Sequence, residues 1–236
     1  MQTRKMIQER SDSRGLVLDF CTLQHAPFHD SEAVQALLEK SLPELLADLS
    51  TLIRNLIPHL GPDYRKMGEE IYVHESARIS EAIDIHGPCI LGPGTEVRPH
   101  CFIRGSVLTG ENVLLGHCCE FKNVLLFDGA QVPHLSYVGD AILGHRAHLG
   151  AAVILSNFRA DHGAIHPGRE HGYPGFPEQM RKFSALVGDD VEIGASAVIN
   201  PGSLLAPRSC VAPLSSFRGI LSEDELHLAT GERRMR

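Results

Sequence analysis

Residues 132–155 read VPHLSYVGDAILGHRAHLGAAVIL, and this stretch decides the fold. Large aliphatic residues recur in it every five or six positions, at Val132, Val138, Leu143, Leu149 and Leu155. An α-helix has a period of about 3.6 residues and does not collect such residues on one face. Short strands joined by regularly spaced turns do collect them, because side chains alternate along a strand. The stretch therefore predicts a β-solenoid with these aliphatic side chains in its interior.

The same spacing extends in both directions from this stretch. The further marker residues are Val73, Ile79, Ile85, Leu91, Val97, Ile103, Thr109, Leu115, Phe121 and Leu126 upstream, and Val187, Ile193, Ile199, Leu205 and Val211 downstream. Thr109 is the weak member of the series, and the register is lost between residues 156 and 186. A β-sandwich is the alternative fold, but its strands do not keep one fixed register over so many steps. We therefore expect a mainly β protein built as a solenoid.

The residues before this repeat favour helices. The segment GLVLDFC at residues 15–21 predicts a short strand, and residues 30–60 predict helix, with Asp30 as an N-cap. Ser41 and Glu44 have the spacing of a capping box, and the leucines and isoleucines that follow recur with helical periodicity. We expect these helices to cap the open top of the solenoid, where an unpaired strand edge would otherwise be exposed.

These patterns divide the chain into three parts. Residues 1–68 are the N-terminal strand and helical cap, residues 69–216 are the β-helix, and residues 217–236 are a C-terminal tail. Residues 156–184 form an insertion that is rich in glycine, proline, histidine and charged residues. Long loops on a rigid scaffold are commonly functional or disordered.

Composition limits the partners and the compartment. The formal net charge is −7 and no basic run is present, which argues against a nucleic-acid partner. No apolar run approaches the roughly 20 residues that span a bilayer, and the first residues lack the apolar segment of a signal peptide. The six cysteines contain no CxxC pair, which favours free thiols in a reducing compartment. We expect a cytoplasmic protein without a membrane partner.

Two segments carry a more specific resemblance. Residues 120–157, EFKNVLLFDGAQVPHLSYVGDAILGHRAHLGAAVILSN, and residues 182–194, KFSALVGDDVEIG, resemble the acetyltransferase domain of the bifunctional N-acetylglucosamine-1-phosphate uridyltransferase/glucosamine-1-phosphate acetyltransferase. The resemblance covers residues 70–215, and the first 70 residues are too short to hold that family's uridyltransferase domain. It implies a left-handed parallel β-helix of hexapeptide repeats, of the kind found at the C-terminus of sugar nucleotidyltransferases.

The resemblance also implies an activity, which is transfer of acetyl from acetyl-CoA to the amine of an aminosugar phosphate such as glucosamine 1-phosphate. Such a reaction belongs to the synthesis of nucleotide sugars or cell-envelope precursors. His134 matches the family's catalytic histidine, which acts as general base on the sugar amine. Glu120 lies in the matched string, where it is expected to orient or tune that histidine. No metal is required by this chemistry.

The binding residues carry over in the same way. Arg104 and Lys122 match the pair that binds the sugar phosphate, and Tyr137 and Asn157 match positions that contact the sugar. The backbone near Ala195 is expected to contact the thioester oxygen and CoA. Apart from the resemblance, the candidates for binding the CoA phosphates are Arg208, Arg218, Arg233 and Arg234, with plain solvation as the alternative, and Arg218 is the one we expect. The resemblance further implies a homotrimer whose sites lie between neighbouring subunits.

The chain departs from the family pattern at several positions. His148 replaces an asparagine, Phe158 replaces a tyrosine and Pro133 replaces a glycine. The loop after Asn157 is also longer, and we interpret residues 158–181 as a lid or a trimer-spanning arm that shapes the acceptor pocket. These departures leave the identity of the acceptor and the length of the acyl chain open.

Two other classes of function remain as alternatives. One is a non-catalytic, trimerising sugar-phosphate-binding module that partners a separate nucleotidyltransferase. The other is a metal-dependent enzyme similar to the γ-class carbonic anhydrases, which share the hexapeptide β-helix and bind zinc through three histidines across a trimer interface. His145 and His148 are three residues apart, whereas the paired histidines of that class are five apart. A metal centre is therefore the less favoured alternative.

Overall fold

The computed structural model describes residues 2–236. It confirms the fold expected from the sequence, a mainly β chain that forms a left-handed parallel β-helix after a short helical N-terminal region. The helices are α1 Gln2–Gln8, α2 Leu16–Phe20, α3 Glu32–Leu38 and α4 Leu42–Leu56, and two 3₁₀ helices span Leu23–His25 and Ile57–His59. Ser41 and Glu44 form the expected capping box at the start of α4. Ser31, not Asp30, is the N-cap of α3.

The strands are short and follow one another around the helix axis. In chain order they are β1 Tyr64–Gly68, β2 Ile71–His74, β3 Arg78–Ile79, β4 Asp84–Ile85, β5 Cys89–Leu91, β6 Glu96–Val97, β7 Phe102–Ile103, β8 Val107–Thr109, β9 Leu114–His117, β10 Glu120–Leu126, β11 Gln131–His134 and β12 Tyr137–Leu143. They continue with β13 His148–Leu149, β14 Ile154–Leu155, β15 Ala185–Val187, β16 Glu192–Ile193, β17 Val198–Ile199, β18 Ser203–Leu205, β19 Cys210–Val211, β20 Ser216–Phe217, β21 Ile220–Leu221, β22 Glu225–His227 and β23 Arg233–Met235.

Each coil contributes a strand to each of three faces. The first face contains β2, β5, β8, the second half of β10, the second half of β12, β15, β18 and β21. The second face contains β3, β6, β9, β11, β13, β16, β19 and β22. The third face contains β4, β7, the first half of β10, the first half of β12, β14, β17 and β20. All of these pairings are parallel, so a residue stacks on its counterpart in the next coil.

The marker residues fill the interior of the solenoid, as expected. Nearly all of them are fully buried in one continuous cluster, and Thr109 is buried as well. Ile79 and Ile85, in the first coil, are only partly buried. The two five-residue steps, Phe121 to Leu126 and Val138 to Leu143, coincide with β10 and β12. These two strands run without a break from the third face to the first because their corners are one residue shorter.

The N-terminal helices lie along the side of the solenoid, which differs from the expected position on its open top. The apolar face of α4 packs on outward-pointing residues of the first face, including Ile90, Leu108, Leu125 and Ile142. The first-face strands are therefore buried on both sides. At the top, β1 pairs antiparallel with β2 and covers the edge of that strand.

The strand expected at residues 15–21 is instead helix α2. Leu16, Val17 and Phe20 are buried, whereas Leu18 and Asp19 are exposed. This is the spacing of one helix face, since an alternating strand would have buried Leu16, Leu18 and Phe20 together. A short apolar run does not by itself distinguish the two structures.

The C-terminal region also differs from expectation, and the insertion is packed against the rest of the chain. The insertion is ordered by Ile165, Phe176, Met180 and Phe183, which are buried in the same cluster as the N-terminal helices. The solenoid continues beyond residue 216, since β21 and β22 pair with β18 and β19. All six cysteines are free thiols. Among residues 2–236, no helix is long and apolar enough to cross a bilayer.

Candidate functional site

The residues identified from the sequence lie mainly along two corners of the solenoid. We call the turn from the third face to the first the Lys122 corner, which comprises residues 104–106, 122–123, 139–140 and 156–157. The turn from the second face to the third is the His134 corner, comprising residues 99–100, 117–118, 134–135, 151–152 and 195–196. The third face separates the two corners.

Arg104 and Lys122 occupy equivalent positions on successive coils. Phe102 pairs with Glu120 and Ile103 with Phe121, so the next residues, Arg104 and Lys122, are stacked at the spacing of neighbouring strands, about 4.8 Å. The guanidinium Nη1 of Arg104 lies 2.6 Å from Oε1 of Glu120, in a pair that is partly exposed to solvent. The Glu120 bond raises the pKa of Arg104. Within one chain, Glu120 therefore binds Arg104 and not His134, which it was expected to orient.

Lys122 pairs with a carboxylate that is far less exposed. Its Nζ lies 3.0 Å from Oδ1 of Asp140, whose side chain is only 5% exposed. The same oxygen accepts a hydrogen bond of 3.0 Å from Nδ2 of Asn123. Oδ2 accepts one of 2.5 Å from Nδ2 of Asn157. Asp140 thus joins Lys122 and Asn157, two residues expected to bind substrate.

Tyr137 lies beside this group on the third face, in register with Glu120. Its phenol lies over Gly139, where a Cβ would collide with the ring and approach Nδ2 of Asn157 to 3.0 Å. Burial, with the charges of Asp140 and Glu120, raises the pKa of Tyr137, and a hydrogen bond to Asn157 opposes that shift. The phenol therefore keeps its proton at neutral pH and is able to donate a hydrogen bond.

His134 is exposed at the His134 corner and stacks in register on His117. Its backbone carbonyl accepts hydrogen bonds from Ser136 and Ala152. Within the described chain the imidazole of His134 has no hydrogen-bond partner. His117, by contrast, is held by Pro99 O at 2.9 Å and lies 3.2 Å from the Cys118 thiol.

The two residues expected to contact CoA lie further along these corners. Ala195 is exposed at the His134 corner, two coils beyond His134, which corresponds to about 10 Å. Arg218 is exposed and is in register with Gly139 through β14, β17 and β20. It borders an open cavity of about 380 Å³ together with Glu170, His171 and Arg233.

The structure therefore brings together Arg104, Glu120, Lys122, Tyr137 and Asn157, and it places His134 and Ala195 on a different corner of the same chain. Asp140 is the member of the first group that the sequence reasoning missed. Its signal was present as the GD pair in the second of two consecutive coils with five-residue steps. No group of three metal-ligating side chains forms among residues 2–236 of one chain.

Comparison with known proteins gives a consistent family. Residues 85–212 match the family described as the GMPPB C-terminal domain. The bifunctional protein GlmU of Kineococcus radiotolerans is 34% identical over 138 residues, which is 57% of this chain and 28% of that protein. The GlmU of Methanococcus maripaludis is 32% identical over 113 residues, which is 48% of this chain and 27% of that protein. This chain thus spans less than a third of the length of either relative.

Solved structures with some likeness are more distant in sequence. The acetyltransferase domain of PglB from Neisseria gonorrhoeae, in complex with acetyl coenzyme A, aligns at 9% identity with a TM-score of 0.32, covering 79% of this chain and 64% of that one. A mutant of AntD, an N-acyltransferase from Bacillus cereus in complex with dTDP and coenzyme A, aligns at 14% identity with a TM-score of 0.33, covering 74% and 89%. Because the family match spans more than half of the chain and coincides with the hexapeptide coils, this protein belongs to the family of the GMPPB C-terminal domain.

Proposed function

We propose that this protein is a cytoplasmic, CoA-dependent hexapeptide-repeat acyltransferase. It transfers acetyl from acetyl-CoA to the amine of an aminosugar phosphate such as glucosamine 1-phosphate. The observation that carries the proposal is the stacking of Arg104 and Lys122 on successive coils beside Tyr137 and Asn157. All four residues lie within the segment that matches the family model, and the GlmU relatives, which are named bifunctional, match about half of the chain.

The Lys122 corner has the chemistry of an acceptor site. Two cations one coil apart are able to bind one phosphate dianion together, and charge-assisted hydrogen bonds are the stronger kind. The amide of Asn157 and the protonated phenol of Tyr137 supply neutral partners for sugar hydroxyls. Phosphate would displace Glu120 from Arg104, because that ion pair is partly exposed and weak.

His134 supplies the base in this proposal. The amine attacks the thioester carbonyl, the new amide bond forms, and the bond from the carbonyl carbon to the CoA sulfur breaks. The attacking nitrogen loses a proton to the imidazole of His134, the side chain that most often serves as a general base. The thiolate that leaves then receives a proton. The backbone near Ala195 and the cavity beside Arg218 are positions for CoA on the same molecule.

A homotrimer is part of the proposal, because His134 and the Lys122 corner are separate on one chain. Exposed apolar side chains lie on the third face and its corner with the second, at Leu135, Ile154, Val198 and Leu214. A partner copy packed there would bury these side chains and bring its own Lys122 corner towards His134. The helices and the insertion cover the first face, which leaves the other two for assembly.

A second candidate is a non-catalytic module that binds a sugar phosphate. If the protein does not assemble, the separation of His134 from the Lys122 corner within one chain favours this non-catalytic module. In that case the stacked cations still bind a phosphate, but no base reaches the amine. The two candidates predict different outcomes with acetyl-CoA.

The test is release of free thiol from acetyl-CoA across a panel of aminosugars with and without phosphate. The acyltransferase predicts thiol release that depends on an aminosugar phosphate and that survives treatment with a chelator. Sugar-phosphate binding by calorimetry without thiol release would identify the non-catalytic module. Loss of activity on chelation, restored by zinc, would instead support a metal-dependent enzyme.

A further inference from the structure

Asp140 occupies an unusual place in the solenoid. It lies at the short corner of β12, with a backbone φ of 50°, in the left-handed region that aspartate tolerates better than most residues. Its side chain is 5% exposed, although carboxylates are rarely buried unless they are paired. A buried carboxylate that kept no partner would cost the fold a great deal of free energy. Its contacts therefore indicate why it is present.

Three donors, from two neighbouring coils, converge on this carboxylate. Lys122 and Asn123 donate to Oδ1 from the preceding coil, each at 3.0 Å. Asn157 donates to Oδ2 from the following coil at 2.5 Å. The Lys122 ammonium retains further N–H groups that are free to meet a ligand, since it carries three donors. The carboxylate thus fixes the position of the ammonium and the amide without occupying them fully.

The backbone of Asp140 also closes the base of the insertion. Its carbonyl accepts a hydrogen bond of 3.0 Å from the amide of Ser184, the residue at which the chain returns to the coils. Asn157, at the start of the insertion, is bound by the side chain of the same residue. A further bond of 3.1 Å from the Phe183 amide to the Asn157 carbonyl joins the two ends directly. Both ends of the insertion are therefore tied to this one position.

We infer that Asp140 is a positioning residue for the acceptor, holding Lys122 and Asn157 at a fixed separation at the base of the insertion. The inference rests on the proposed function. Asp140 is too buried to touch substrate and acts only through these two side chains. Glu120, which is far more exposed, pairs with Arg104 in a way that a phosphate is able to replace. The two cations thus differ, with Lys122 held in place and Arg104 free to move onto the ligand.

The test compares Asp140→Asn with a matched control, Asp189→Asn. Asp189 is also buried and its carboxylate also accepts three hydrogen bonds, from the Thr22 amide, the Thr22 hydroxyl and the His145 amide, but it lies on another corner. We expect Asp140→Asn to raise KM for the aminosugar phosphate about 10- to 100-fold, the effect of losing charged hydrogen bonds. KM for acetyl-CoA should stay within about twofold. Asp189→Asn should lower stability without raising KM for the aminosugar phosphate relative to KM for acetyl-CoA.

A second measurement does not depend on catalysis. Trace labelling of lysines with acetic anhydride, read by mass spectrometry, reports how freely each ammonium group reacts. Asp140→Asn should increase labelling of Lys122 relative to the exposed Lys66, and Asp189→Asn should leave that ratio unchanged. An increase in a protein that transfers no acetyl group would support the positioning role and reject the proposed function. An unchanged ratio would overturn the positioning role whatever the activity.

A third variant applies if Asp140→Asn does not fold. Asn123→Ala removes one donor to Asp140 Oδ1 from a partly exposed residue that is not assigned to substrate. It should raise the acceptor KM severalfold and increase Lys122 labelling, both in the same direction as Asp140→Asn. Wild-type values for both quantities, in an active enzyme, would contradict the inference.

Discussion

At the scale of single residues, the sequence predicted that Arg104 and Lys122 lie on adjacent coils but not which carboxylates they pair with. Residue type and repeat register place Arg104 and Lys122 one coil apart, and the structure has them so. Which carboxylates pair with them depends on the directions of the side chains at the corner turns. The spacing of the repeat does not specify those directions. Glu120 was expected near His134 and binds Arg104, and Asp140 was not singled out at all. Asp140 adopts a left-handed backbone conformation, which the spacing of the repeat does not predict.

His134→Ala should abolish acetyl transfer and leave the fold intact, since the side chain is exposed. Removing a general base lowers kcat by a factor of roughly 10² to 10⁴. The measurement is steady-state thiol release on the best acceptor, with circular dichroism as the check on folding. His59→Ala, which changes an exposed histidine at the end of the second 3₁₀ helix, serves as the control and should keep its activity. An unchanged kcat for His134→Ala would remove this residue from the mechanism.

Arg104→Ala should discriminate between phosphorylated and unphosphorylated acceptors. Loss of charged contacts to phosphate should raise KM for the sugar phosphate about 10- to 100-fold and affect the free aminosugar little. Arg78→Ala is the matched control, because Arg78 forms a comparable ion pair with Glu96 on the second face. Equal changes for both acceptors would show that Arg104 has a structural role only.

At the scale of elements, the repeat was predictable because each coil places an inward-pointing aliphatic residue on every face. Helix α2 was not predictable, because a short apolar run is compatible with a strand or a helix until its packing partners are known. One signal was available and was not used. The first-face strands read as continuous apolar triplets such as CIL and VLL, and such triplets indicate burial on both sides. That pattern predicts a covering layer along this face.

The capping box of α4 should contribute stability that depends on pH. Hydrogen bonds from Ser41, first from its side chain and then from its backbone, lower the pKa of Glu44. A carboxyl with a lowered pKa in the folded state stabilises above its unfolded pKa, about 4.3, and loses that contribution as pH falls through the folded value. The difference in unfolding free energy between wild type and Glu44→Gln should therefore shrink below about pH 4. A difference that is constant from pH 3 to pH 7 would contradict this account.

The insertion should be required for stability. Phe176 is 2% exposed in the cluster that joins the insertion, the N-terminal helices and the first face. Replacing a buried phenylalanine with alanine costs about 3–5 kcal/mol of unfolding free energy. Phe176→Ala should show this loss in chemical denaturation, and Phe158→Ala, whose side chain is 43% exposed, should not. Equal denaturation midpoints for both variants would mean that the insertion does not support the core.

At the scale of the whole molecule, the covering layer determines which surfaces remain for assembly. The sequence predicted helices before the solenoid, but their amphipathic pattern does not state whether the partner is an open end or a side. The helices pack along the side because it offers more apolar area to cover. The first face presents a continuous row of outward aliphatic side chains, whereas the top end presents a single coil. With that side covered, the exposed apolar residues Ile154, Val198 and Leu214 lie where a second copy is able to pack.

The protein should be a homotrimer with a mass three times the 25.8 kDa of one chain by light scattering at micromolar concentration. Leu214→Asp places a charge on a side chain that is 77% exposed, so it should dissociate the trimer without unfolding the subunit. Leu18→Asp is the control, because Leu18 is exposed on the helical layer, away from the third face. A wild-type mass equal to one chain would reject the assembly.

If the site is formed between subunits, two inactive variants should complement each other. Subunits with His134→Ala keep an intact Lys122 corner, and subunits with Lys122→Ala keep the histidine. Mixed trimers, made by unfolding and refolding the two proteins together, contain interfaces in which an intact histidine meets an intact Lys122 corner, so part of the wild-type thiol release should return. Mixing without refolding is the control and should restore nothing. A refolded mixture that forms trimers but stays inactive would show that His134 of one subunit and Lys122 of another do not form a common site.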